Sequence, residues 1–145
     1  MEDKRFHELC VTSLVSASQL AYVEEAASTH FFLQCFHEFF QYAIRKRETV
    51  LLQEELNVLK RYVDFQAMRY PGRFALRINA GEAVNDTFLS PMNLIDQFDA
   101  FLMDLLMRDE RFFEISLTVS TDGTYVEMSV ENGGIQERKR VCLSE

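Results

Sequence analysis

Three histidines, three cysteines and a surplus of carboxylates are the reactive groups of this 145-residue sequence. His7 is followed directly by Glu8, on a stretch whose apolar spacing predicts a helix. A neutral imidazole on an exposed helix face can attack an electrophilic phosphorus, and the adjacent carboxylate can accept the ring proton. His7 and Glu8 are therefore the candidate catalytic pair. His30 falls in the first turn of a second helix, and His37 flanks a phenylalanine stripe, a position that suits packing. Neither has a cysteine or carboxylate at metal-ligand spacing, so no metal is expected. Asp96 and Asp99 lie three apart on one helix face and can in principle hold a cation or act as paired carboxylates; a solvated acidic face is the simpler reading. Cys10, Cys35 and Cys142 are odd in number and widely spaced, which fits reduced, packing thiols in a cytoplasmic protein. No Walker loop, Gly-x-Ser-x-Gly or Cys-x-x-Cys is present.

Composition narrows the partners. Fifteen Lys and Arg against 23 Asp and Glu give a net charge of -8. Nucleic acid and anionic membrane both demand clustered positive charge, so neither is expected as the main partner. No uncharged apolar run approaches the roughly 18–20 residues that span a bilayer. The start, Met1-Glu2-Asp3-Lys4-Arg5, has no apolar run behind it and does not read as a signal peptide. Hydrophobic residues make up 48%, enough for a core. Thirteen Phe and no Trp, arranged in stripes, suggest more apolar face than one short hairpin can cover.

The elements that must position these groups follow from periodicity. Phe6, Leu9, Cys10, Leu14, Ala17, Leu20 and Ala21 mark a helix over residues 4–25. Ser28 and Thr29 are N-cap types for a second, with a stripe of Phe32, Cys35, Phe36, Phe39, Phe40 and Ala43. The two should form an antiparallel hairpin, and pairing two hairpins into a four-helix bundle would bury both stripes. Arg45-Lys46-Arg47 reads as a solvated helix end. Leu52, Leu56, Leu59, Val63 and Ala67 mark a third helix, ended by Tyr70-Pro71-Gly72. The period then becomes two at Phe74, Leu76 and Ile78, a half-buried strand. Residues 81–86 read as a loop. Ser90-Pro91 reads as cap and first turn of a fourth helix with Leu94, Ile95, Phe98, Phe101, Leu102 and Leu105 inward. Phe113-Ile115-Leu117-Val119 and Val126-Met128-Val130 flank an Asp122-Gly123 turn, a β-hairpin. Glu131 to Gly134 reads as a turn and the rest as a polar tail, with a short edge strand at Val141–Leu143.

The stretch from Phe39 to Phe74 resembles the LytS-type sensor histidine kinases. Phe39-Phe40-Gln41-Tyr42-Ala43-Ile44 is similar to the end of that family's second dimerisation helix. Val50 to Leu56 and Tyr62 to Phe74 are similar to the helix leading into its ATPase domain. Ser90-Pro91 resembles the Pro-Pro before its N-box helix, and Glu131-Asn132-Gly133-Gly134 resembles its first glycine box. The resemblance implies an α+β chain: a helical hairpin over residues 1–48 forming a dimeric four-helix bundle, then a truncated Bergerat-like α/β half-domain over 49–145. It also sets the phosphoacceptor roughly thirty-odd residues before Tyr42, near Phe6–Leu9 and so close to His7.

The departures bear on activity. The best register of the N-box gives Asp99-Ala100-Phe101, so the Asn that holds Mg²⁺ in the family is Ala100 here. The adenine-binding Asp is Glu131, and the final Gly falls on Ile135. The second glycine box and the ATP lid are not found in the sequence. Asp99, Ala100, Glu131, Asn132 and Gly133 are thus vestigial nucleotide positions, and no cofactor is expected. Around His7 the family's Asn-Pro-His-Phe reads Arg5-Phe6-His7-Glu8, with Val11 where a polar residue stands in the family. The expected function is a degenerate kinase-like signalling protein that binds a response-regulator receiver domain or a partner kinase. The alternatives are a phosphotransferase acting through His7, and an oligomerisation module outside phosphorelay.

Overall fold

Steps of three and four between apolar residues wind Asp3–Val23 (α1) and Ala27–Ile44 (α2) into helices. The computed structural model describes residues 3–108, 111–132 and 135–143. Between α1 and α2 the chain reverses tightly. Glu25 adopts a left-handed φ of 59°, and the Ala26 amide donates to the Ala21 carbonyl at 2.8 Å. Closing a helix this way normally falls to glycine, so Glu25 carries a cost of about 1 kcal/mol. The tight reversal moves the start of α2 forward. Its cap is Ala26, with no side-chain hydrogen bond, and not Ser28 or Thr29 as their residue types suggest.

After α2 come β1 (Val50–Leu51), α3 (Leu52–Arg69), β2 (Phe74–Asn79), a 3₁₀ turn at Glu82–Asn85 and β3 (Phe88–Leu89). Then follow α4 (Asn93–Arg108), β4 (Phe113–Val119), β5 (Tyr125–Asn132) and β6 (Ile135–Cys142). The fold is α+β. Two compact units divide it.

The first unit holds Met1–Lys46 and Val58–Arg69. The second half of α3 thus joins the hairpin, whereas the sequence reading assigns everything after residue 48 elsewhere. Aromatic packing explains this. Phe65 lies 5.9 Å from Phe32 and 5.4 Å from both Phe36 and Phe39, ring centre to ring centre, and Tyr62 lies 5.4 Å from Phe39. Arg61 also pairs with Glu38 at 2.8 Å.

The second unit holds Arg47–Asn57 and Tyr70–Glu145. Its four-stranded sheet has the order β2-β4-β5-β6, with β2 parallel to β4 and the rest antiparallel. The β2–α4–β4 segment is a crossover, the connection a parallel pair requires. Phe113, Ile115, Leu117 and Val119 alternate inward on β4, and Val126, Met128 and Val130 answer on β5. The helix α4 belongs to the same unit. All six of its expected inward residues are buried, its Arg108 pairs with Glu137 of β6, and Arg73 donates to the Leu106 carbonyl. At the β4–β5 turn Gly123 has φ +74°, and a Cβ there would sit 2.2 Å from Thr87 Oγ1. Asp122 holds the same turn, accepting from Ser120 Oγ, Thr124 N and Thr124 Oγ1.

Two features differ from the periodicity reading. β1 and β3 pair antiparallel, Val50 with Leu89 and Leu51 with Phe88, and two residues are too few to show alternation. The polar tail is a full eight-residue strand paired along its length with β5. It reads as polar because it lies at a sheet edge. Arg138 and Arg140 are exposed, and among the described side chains burial is confined to Val141 and, just beyond the strand, Leu143.

Candidate functional site

In the first unit, the open end of the α1–α2 hairpin forms a cleft of about 620 Å³. From α1 it is lined by Lys4, His7, Glu8, Val11 and Thr12. These positions repeat at three and four, so one helix face presents them all. Ile44, at the end of α2, and Lys46 close the other side. His7 is half-buried, its ring edge-on to Phe40 at 6.1 Å, while Glu8 is exposed. The imidazole thus has an apolar backing and an open front. His7 and Glu8 share one cleft, as their adjacency suggests.

Sequence reading did not find Lys4, Thr12, Ile44 or Lys46. The signal that could have found them is the hairpin pairing. An antiparallel hairpin that sets Ser18 beside His30 sets Lys4 beside Ile44, an equal number of steps further from the turn.

His30 has another role. Its Nδ1 lies 2.8 Å from the Ser18 carbonyl and 3.0 Å from Ser18 Oγ. The carbonyl can only accept, so Nδ1–H donates to it, and the ring is fixed as a clamp between the two helices. Tyr22 packs on the ring at 5.4 Å. His37 is half-buried, as its place beside the stripe predicts, and its Nε2 is buried without a hydrogen-bond partner among the described residues. No group of three or more His, Cys, Asp or Glu able to hold a metal occurs among the described residues. Cys10, Cys35 and Cys142 are free thiols, and burial pushes the Cys35 thiol upward.

The positions that the sequence resemblance marks as vestigial nucleotide contacts fall in the second unit. Asp99 is half-buried and Ala100 exposed on α4. Asp96, one turn earlier, has its carboxyl pushed up by loss of surrounding water and then by the Asp99 charge. Glu131 and Asn132 are the last residues of β5. Glu131 pairs with Glu114 on one side and Gln136 on the other, and Asn132 pairs with Ile135. Gly133 and Gly134 lie outside the described residues.

One polar device in this unit was not anticipated. Glu55, on α3, is fully buried. Its carboxylate accepts from the amides of Met92 (3.0 Å), Leu94 (3.0 Å) and Ile95 (3.3 Å). These are the unsatisfied first-turn donors of α4, so a residue from another helix caps it. The cap expected from residue types, Ser90, contributes only a carbonyl, which accepts from the Asn93 amide at 3.2 Å. Met92, with φ 70°, bends the chain so that the donors face Glu55.

Residues 10–74 match a family model described as histidine kinase. The match supports a histidine kinase-related signalling protein. It takes in Tyr42, Glu55 and the Tyr62–Phe74 segment, and it begins three residues after His7. No curated protein matches the chain. Among the described residues, no helix is long and apolar enough to cross a membrane.

Proposed function

We propose that this is a degenerate, LytS-type kinase-like signalling protein that acts by binding a receiver domain or a partner kinase, without ATP-dependent kinase activity. The observation that carries the reading is the β5–β6 ladder. Where the family places a glycine-rich nucleotide loop, the backbones of Glu131 and Asn132 pair with those of Gln136 and Ile135. A backbone tied into a ladder does not supply the open, glycine-rich loop that cradles a nucleotide. Ala100 offers a methyl group where a metal ligand must supply oxygen. The residues therefore do not fit Mg-ATP. Calorimetry should detect no Mg-ATP binding below about 1 mM, equivalent to roughly -4 kcal/mol. A micromolar constant would refute the reading.

The reading also holds that the hairpin dimerises into a four-helix bundle. The support is its sparse burial: on α1 and α2 the buried apolar residues are Ala21, Cys35 and Tyr42. Phe6, Leu9, Leu20 and Phe31 are exposed and available to a second copy. A cytoplasmic location accords with the free thiols.

A second reading, phosphate relay through His7, is favoured by the cleft. An imidazole nitrogen attacks the phosphorus of an aspartyl phosphate, the N–P bond forms, and the aspartate leaves as a carboxylate. Glu8 takes the proton from the other ring nitrogen. The experiment compares transfer from a phosphorylated receiver domain to wild type, His7→Gln and His30→Gln. Loss in His7→Gln alone supports relay. Receiver binding with no transfer in any supports the binding protein. No receiver binding at all points to a bare oligomerisation module.

A further inference from the structure

We propose that the cleft beside His7 is a binding site for a small organic anion, a carboxylate or phosphate monoester carrying a short apolar body. The cleft's volume, about 620 Å³, lies inside the range of about 300–1,000 Å³ typical of small-molecule sites. Its walls divide by chemistry. Val11, Ile44 and the His7 ring supply apolar surface, enough for an aromatic or short aliphatic group. Lys4 reaches it from α1 and Lys46 from the segment just after α2, and Thr12 adds a hydroxyl. Two ammonium groups face one carboxylate, Glu8, so the cleft has a positive excess within a chain of net charge -8. Lys4 and His7 also lie in the first two turns of α1, whose positive end favours an anion. A neutral ligand would use only half of these groups, and a cation would meet two ammoniums.

This site does not require His7 to accept a phosphoryl group. A ligand seated there would cover the imidazole and so control access to it.

The test is calorimetry on the full chain with four probes: phenyl phosphate, benzoate, inorganic phosphate and benzyl alcohol. The two aromatic anions should bind at least about tenfold more tightly than neutral benzyl alcohol and than inorganic phosphate. The double variant Lys4→Gln/Lys46→Gln should weaken the anions by about tenfold or more, while Lys60→Gln, on α3, leaves them unchanged. Binding by phenyl phosphate alone supports the site and narrows it to phosphate monoesters; binding by benzoate alone narrows it to carboxylates. Equal affinity for benzyl alcohol, or an unchanged double variant, overturns the inference. So does an absence of binding by all four probes, the result expected if a second copy fills the cleft. Receiver binding by the same variants is measured separately. A chain that binds a receiver but no anion refutes this inference alone, and the reverse refutes the proposed function alone.

Discussion

The two units solve the burial problem differently. In the second, α4 alone buries six apolar side chains, and β4 buries every other residue. In the first, α1 and α2 are longer than α4, yet among the described side chains α1 buries Ala21 alone and α2 only Cys35 and Tyr42. Its phenylalanines are mostly half-exposed, and they gain from ring contacts with one another and with Phe65. The second unit carries its own core. The first keeps a large apolar surface in water, which a stable monomeric fold rarely does. Interior order and surface availability are thus allotted to separate regions.

Three experiments can break or sharpen this contrast. The largest effect should come from Glu55→Ala. It leaves the amides of Met92, Leu94 and Ile95 without their acceptor at the buried start of α4 and should cost about 3–5 kcal/mol. Denaturant unfolding reads it, and a loss below about 1 kcal/mol would show that water replaces the carboxylate. Next is Phe36→Asp, which sets a charge among rings at 5.4–6.4 Å. It should cost the first unit about 2–4 kcal/mol and abolish concentration-dependent assembly. Hydrogen exchange should show the β4–β5–β6 amides as protected as before. Uniform loss of protection would mean that the contrast is false and the chain unfolds as one body.

The smallest effect concerns pH. Hydrogen bonds from Arg108 hold the exposed Glu137 carboxyl below the usual carboxylate range. A carboxyl lowered in the folded state adds stability that is complete above its unfolded pKa, about 4.3, and is lost as pH falls through its folded value. Glu137→Gln should therefore lower stability slightly at neutral pH and leave it unchanged at the acid end, which flattens the acid limb between them. An unaltered acid limb would assign the pair no energetic weight.

Much of this architecture was legible in residue order, and the failures have physical causes. The α4 stripe, the Phe74–Ile78 alternation and the Asp122-Gly123 turn could be read because each is a local pattern with a strong period. Caps were misread because Ser28, Thr29 and Ser90 are good caps only if the chain geometry presents them. Glu25 and Met92 take left-handed φ values instead, and they shift where the donors point. β6 was misread because a sheet edge shows few apolar residues. At the candidate site, His7 and Glu8 were legible as neighbours. Lys46 was not, because its nearness to Lys4 depends on the pairing of two helices.

The His30 clamp has a mechanical consequence. It fastens the hairpin near its turn, where Glu25 and Ala26 already tie the helices together. Helices joined at one end come apart like tongs, from the free tips inward. The tips are Lys4 and Ile44. Any force that spreads α1 from α2 is therefore felt first around His7, where a small angular motion becomes the largest displacement. The hairpin is a lever with its fulcrum at Ser18 and its jaws at the cleft.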